Sequence, residues 1–325
     1  MSQYTLIEAV NAALDYELAA DESVVVLGED VGANGGVFRA TDKLQTRFGE
    51  DRVIDTPLAE SLICGMSIGL ATQGFKPVAE IQFMGFIYAA FDQFICHASR
   101  MRNRTRGRLS CPMVLRAPFG GGIHAPEHHS ESTEAIFAHV PGIRVVIPSS
   151  PARAYGLLLA AIRDPDPVVF LEPKRIYRAQ SETFENNGEA LPLDVCFTLR
   201  QGSDLTIVSW GAMLQETLQA SEQLAQMGID CEVIDLASIK PIDKKTILES
   251  VEKTGRCMIV CEAAKSGSVA SEAAAIVAEE GLTSLFAPIL RVTGYDTVMP
   301  LLKLEQHYLP STEKIMQAAK RLMEF

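Results

Sequence analysis

Short apolar runs of strand length alternate along this chain with longer stretches whose apolar residues recur at helical spacing, and the alternation occurs in two series. The first series predicts strands over 23–28, 53–55, 77–82, 113–116, 144–147 and 168–171, with helices over 6–20, 60–73, 85–104 and 152–163. Thr5-Leu6-Ile7-Glu8 has the spacing of a capping box, and Leu6, Val10, Leu14 and Leu18 form the apolar face behind it. Residues 173–203 break the rhythm with weak periodicity, scattered charges and the turn signal Asn186-Asn187-Gly188. The alternation resumes with strands over 205–209, 231–236, 257–262 and 289–292, and helices over 213–227, 243–253, 267–280 and from 311. Such alternation implies a mostly parallel sheet flanked by helices. The expected fold is therefore α/β: two doubly wound α/β domains, at 1–185 and 204–325, joined by a linker at 186–203.

Composition narrows the function class. A chain of 325 residues can bury roughly 75% of its unfolded surface. Its 47% apolar and 22% charged residues exclude a disordered chain. Acidic residues outnumber basic ones 41 to 29, a net charge of −12 that argues against broad binding to nucleic acid or anionic membranes. No uncharged apolar stretch approaches the roughly 18 residues of a membrane span. Met1-Ser2-Gln3-Tyr4 lacks the basic-then-apolar order of a secretory signal. Seven dispersed Cys with no C-x-x-C read as reduced thiols. The expectation is a cytoplasmic protein with no nucleic-acid partner and no membrane partner.

Three segments carry candidate chemistry. Asp55-Thr56-Pro57-Leu58-Ala59-Glu60-Ser61 places Glu60 at a helix start. A carboxylate there can stabilise the helix N-terminus or, if buried, face a ligand. Gly65 and Gly69 on the same helix let another backbone approach closely, as in a packed interior or an interface. In Pro118–Ser130, three Gly precede three His, which requires a loop, and a loop dense in titratable groups is a functional candidate. His124, Glu127 and His128 match the H-x-x-E-H zinc-peptidase pattern. That pattern needs a helix, which Gly120–Gly122 and Pro126 oppose. Arg100–Arg108 holds five Arg in nine residues. Their alternate spacing distributes them around a helix without interleaved aromatics, which favours a solvated or interfacial helix end over a nucleic-acid patch. There is no G-x-x-x-x-G-K-[ST], so a self-contained phosphate loop is not supported. Pattern alone reaches a two-domain α/β enzyme or enzyme subunit, and not its reaction.

Val26–Phe38 (VLGEDVGANGGVF), Asp51–Glu60 (DRVIDTPLAE), Pro77–Phe86 (PVAEIQFMGF), Pro118–Ser132, Gly142–Pro148, Lys253–Arg256 and Val292–Pro300 form a set of segments spread along the chain. Together they resemble the β subunit of the thiamine-diphosphate-dependent 2-oxo acid dehydrogenases, a transketolase-like family that includes the pyruvate and branched-chain enzymes. The resemblance runs from end to end. It implies a pyrimidine-binding domain at 1–185 and a C-terminal transketolase-like domain at 204–325.

The resemblance also implies roles. Glu60 would hydrogen-bond the ring nitrogen of the cofactor's aminopyrimidine and promote loss of the thiazolium proton, with burial favouring the protonated carboxyl. Leu58, Gln82, Phe83 and Phe86 would line the pyrimidine pocket, and Glu29 would belong to a proton path. His129 would serve acyl transfer to a lipoyl group, with His128 as a neighbour that leaves the choice open. Met113, Ala161, Ile162, Asp164 and Asp166 would hold a monovalent cation such as potassium, although Asp164-Pro165-Asp166-Pro167 also reads as a plain turn. The family binds diphosphate and magnesium through a Gly-Asp-Gly motif that this chain lacks. An α subunit would therefore supply that half in an α2β2 assembly that serves a lipoyl-bearing acyltransferase core. The second domain would dock partners. Gly120–Ser132 leans towards pyruvate, while Glu172–Ala179 and Val292–Pro300 lean towards branched-chain acids; pyruvate is the reading taken.

Overall fold

The computed structural model of the chain describes residues 2–325, which divide into two compact units: 2–119 with 136–193, and 120–135 with 194–325. The first unit contains six parallel strands in the order Arg144–Val146, Val168–Pro173, Val114–Phe119, Lys76–Glu80, Val24–Gly28 and Val53–Asp55. Strands 24–28, 114–119 and 168–173 are buried at every position. This is why they read as continuous apolar runs rather than as alternating ones. Helix Leu6–Ala20 packs against helix Pro151–Arg163. The capping box is present, with the Thr5 backbone N–H donating to the Glu8 carboxylate at 2.8 Å. Ser2–Thr5 pairs antiparallel with Ser181–Phe184, and Tyr4 stacks on Phe184 at 4.6 Å.

The second unit carries a five-stranded sheet in the order Leu290–Val292, Cys257–Val260, Leu205–Ser209, Cys231–Asp235 and Phe197–Arg200. The first four are parallel and the last is antiparallel. Helices Met213–Ala225, Lys244–Thr254, Val269–Glu280 and Thr312–Met323 accompany them.

Three differences from the sequence reading have local causes. The single helix expected over 85–104 is broken into Met84–Ala90 (3-10), Phe91–Cys96, Ala98–Arg100 (3-10) and Met101–Arg104. The carbonyl of Ile95 accepts from Ser99 Oγ at 2.7 Å and Arg100 Nε at 3.1 Å, so side chains take an acceptor that the helical ladder would use. Residues 197–200, read as linker, form an antiparallel strand whose alternation is too short to register against the flanking charges. Helix Leu302–Tyr308 lies where no helix was expected. Leu301 just before it and its own Leu302 and Leu304 are exposed, so the segment lacks the usual apolar-in periodicity. Among the described residues no helix is long and apolar enough to cross a membrane, and the seven cysteines are unpaired.

Candidate active site

Open parallel sheets bind ligands beyond the C-terminal ends of their strands, where the loops emerge. In the first unit those ends deliver the predicted residues. Glu29 follows strand 24–28, Leu58 and Glu60 follow strand 53–55, and Gln82, Phe83 and Phe86 follow strand 76–80. Parallel register places Gly28 beside both Asp55 and Glu80, so the three loops leave the sheet together. The Thr56 N–H donates to the Gly28 carbonyl at 2.9 Å. The Asp55 carboxylate accepts from the backbone N–H of Gly32 at 2.6 Å and of Ala33 at 3.2 Å, tying the loop after Glu29 to the loop before Glu60. Asp30 adopts a left-handed backbone with φ 58°, and side chains accept such a conformation only where their surroundings enforce it.

Glu60 opens helix Glu60–Thr72 and is half-buried, not enclosed as expected. The perturbed carboxyl is its neighbour. Burial, then the charge of Asp30, then that of Glu60 push the Glu29 carboxyl above its ordinary range. Leu58, on the loop between them, is 72% exposed. Phe83 and Phe86 meet edge to face at 5.8 Å, and Phe38 packs on Phe83 at 5.5 Å. The set combines interacting carboxylates, an exposed leucine and half-buried aromatic rings.

Beneath these loops runs a charge network that sequence reading missed. Arg116 is 1% exposed. Its Nη1 donates to Glu80 at 2.8 Å and its Nε to Glu172 at 2.7 Å, and the Tyr177 hydroxyl donates to Glu172 at 2.6 Å. Burial opposes the Arg116 charge, but Glu172 and then Glu80 outweigh it and keep the guanidinium protonated. Burial pushes the Glu80 carboxyl up against the pull of Arg116.

The Gly/His loop belongs to the second unit. Two buried carboxylates hold its start: Glu262 accepts from the Gly121 N–H at 2.8 Å, and Glu305 accepts from the N–H groups of Gly122 at 2.8 Å and His124 at 3.2 Å. Glu305 also pairs with His124 Nδ1 at 2.7 Å. Glu127–His129 forms a single 3-10 turn in which His128 is exposed and His129 half-buried. Nearby, Glu134 is fully buried and accepts from Trp210 Nε1 at 3.2 Å. Burial chiefly, reinforced by Glu262, pushes its carboxyl up to about 8. His124 has φ 61° and lies outside any helix, so the zinc-peptidase pattern lacks the helical face it needs.

The expected cation positions lie at the end of helix Pro151–Arg163, in the following turn and before strand 114–119. The Met113 carbonyl accepts from the Val168 N–H at 3.0 Å and the Ala161 carbonyl from the Asp164 N–H at 3.4 Å. Asp164 accepts from the Asp166 N–H at 2.8 Å, and Asp166 pairs with Arg102 at 2.8 Å. Arg102, one of the five clustered arginines, is thus ion-paired within the unit.

Residues 2–180 match the family described as transketolase, pyrimidine binding domain, and residues 196–315 match transketolase, C-terminal domain. The chain is 50% identical over 322 residues to the pyruvate dehydrogenase E1 component subunit beta of Acholeplasma laidlawii, covering 99% of this chain and 98% of that one. It is 48% identical over 325 residues to the corresponding subunit of Bacillus subtilis (strain 168), covering 100% of each. The chain belongs to the pyruvate dehydrogenase E1 β-subunit family. A solved structure described as a split gene transketolase, inactive beta4 tetramer, shares the fold with a TM-score of 0.81 at 23% identity, over 99% of this chain and 98% of that one.

Gly65-Met66-Ser67-Ile68-Gly69 has the G-x-S-x-G spacing of a serine hydrolase elbow. Here it lies inside helix Glu60–Thr72, with Ser67 fully buried and its Oγ donating to the Ile63 carbonyl at 2.8 Å. With its serine buried in a helix it is not a nucleophile elbow, and Gly69 is exposed with nothing within 4 Å of a Cβ placed there.

Proposed function

We propose that this β subunit, with an α subunit, carries out oxidative decarboxylation of pyruvate and passes the acyl group to a lipoyl arm of an acyltransferase core. The observation that carries the reading is the Glu29–Glu60 carboxylate pair beside Leu58, Gln82, Phe83 and Phe86, in a chain that matches pyruvate dehydrogenase E1 β subunits over its whole length. The names of these relatives favour pyruvate over a branched-chain acid.

The donor set suits the aminopyrimidine half of thiamine diphosphate. A carboxyl can hold a proton against a ring nitrogen, and apolar side chains can flank a flat ring. When bound, the cofactor supplies the electron sink that a 2-oxo acid needs to lose CO2. Glu60 would hold the proton at the ring nitrogen. Glu29, pushed up by burial, Asp30 and Glu60, would keep a second proton within reach of the same region. Leu58, Phe83 and Phe86 would exclude water from the ring, and Gln82 would orient it. The chain contains no Gly-Asp-Gly, so diphosphate and magnesium would be held by the α subunit. A potassium ion at the carbonyls of Met113, Ala161 and Ile162, with Asp164 and Asp166, belongs to the same proposal.

Three experiments test this reading. Alone, the β chain should bind thiamine diphosphate and magnesium at least about 100-fold more weakly than when co-expressed with its α subunit, because half of the contacts are missing. The assembled enzyme should release CO2 from pyruvate at least about ten-fold faster than from 2-oxoisovalerate. Tight binding by the chain alone, or a preference for the branched acid, would count against the proposal. For acyl transfer, His129→Ala should lower lipoyl acylation about 100-fold while His128→Ala stays within about two-fold, as expected when one histidine handles the proton and its exposed neighbour does not. The reverse ranking moves the role to His128.

A further inference from the structure

We propose that Glu305 is a positioning residue for acyl transfer, and that together with Glu262 it forms a carboxylate clamp that sets the histidine loop. The inference rests on the assignment of acyl transfer to His129. Glu305 is 2% exposed and lies on helix Leu302–Tyr308, 181 residues from its partner His124. One carboxylate oxygen takes the Gly122 N–H; the other takes the His124 N–H and His124 Nδ1. Glu262 takes the Gly121 N–H. Three backbone donors within 121–124, a segment with no helix or strand, are thus satisfied by buried carboxylates, and charge-assisted hydrogen bonds are the stronger kind. The fit is close on both sides. A Cβ at Gly120 would lie 2.6 Å from a Glu262 oxygen, and one at Gly121 would collide with Met299. His124 adopts a left-handed backbone with φ 61°, a conformation that the surrounding contacts must offset.

The turn that follows is stiff in itself. The His129 N–H donates to the Pro126 carbonyl at 3.0 Å, the Ser130 N–H to Glu127 at 2.9 Å, and Ser130 Oγ to Pro126 at 3.2 Å. At the far end, the Gly120 N–H donates to the Glu131 carbonyl at 2.9 Å and closes the loop. A stiff turn carried on glycines moves as a body when the glycines are released. Glu305 would therefore act on His129 through the loop, without touching the substrate.

Glu305→Gln, in the β subunit co-expressed with its α subunit, keeps the side-chain shape but cannot offer two anionic oxygens. Amide hydrogen exchange at Gly122 and His124 should accelerate about ten-fold or more. Acyl transfer to a free lipoyl domain should fall about ten-fold or more, because small displacements of a reacting group are costly. Decarboxylation read with an artificial oxidant should stay within about two-fold. Unchanged exchange, or equal effects on both activities, overturns the proposal. If Glu305→Gln does not assemble, His124→Ala removes one contact from a ring that is 52% exposed. It should lower lipoyl transfer about three-fold with decarboxylation unchanged; no change in transfer overturns the clamp. The His129 assignment fails separately, if His129→Ala transfers acyl groups normally while exchange in Glu305→Gln still accelerates.

Discussion

Glu60→Gln is expected to bind thiamine diphosphate in the assembled enzyme within about two-fold of the unmodified protein and to turn over at least about 100-fold more slowly. Glutamine reproduces the size of glutamate and retains a hydrogen bond to a ring, so binding survives. It cannot hold or release a proton, so the step that depends on proton movement does not. The local electrostatics support this division. Glu60 stands close enough to Glu29 for its charge to help hold the Glu29 carboxyl up, after burial and Asp30. Carboxylates that feel one another favour retention of a proton between them. Cofactor titration by calorimetry together with CO2 release from pyruvate separates binding from chemistry. Turnover above about a tenth of the unmodified rate would remove Glu60 from the catalytic role.

The second large effect is on stability. Arg116→Met should destabilise the β subunit by about 3–5 kcal/mol. Methionine fills much of the space, so the loss is electrostatic and not chiefly a cavity. Without the guanidinium, Glu80 and Glu172 remain buried on the two strands that flank the Arg116 strand, with no cation between them. Tyr177 still donates to Glu172, but it carries no charge, since burial and Glu172 keep its hydroxyl protonated. A triple variant with Glu80→Gln and Glu172→Gln added should recover part of the loss, because the uncompensated charges are then gone. Chemical denaturation checks both. A loss below about 1 kcal/mol for Arg116→Met would mean that the carboxyls take up protons at little cost.

The strands and helices that carry the candidate site were legible because each announces itself locally. A fully buried strand is a continuous apolar run, as in 24–28 and 205–209, and a capping box is four consecutive residues. Glu60 stood out in the sequence at a helix start, whereas Glu29 and Gln82 became candidates only through resemblance to the family. In a parallel sheet the residues that follow each strand gather at one edge, and all three follow strands of this sheet. The breaks in 84–104 were not legible, because they arise where Ser99 and Arg100 turn back on Ile95, a contact that depends on side-chain direction and not on period.

What the sequence by itself determined is the order and type of elements, the two-domain α/β architecture and the residue types at the strand ends. All of these follow from patterns a few residues long. The tertiary structure alone decided which charges meet. Arg116 finds Glu80 at a separation of 36 residues and Glu172 at 56; Glu305 finds Gly122 at 183. No periodicity spans such distances. A buried charge is stable only beside a partner, and which partner it meets depends on strand order and loop path, which exist only once the chain has folded.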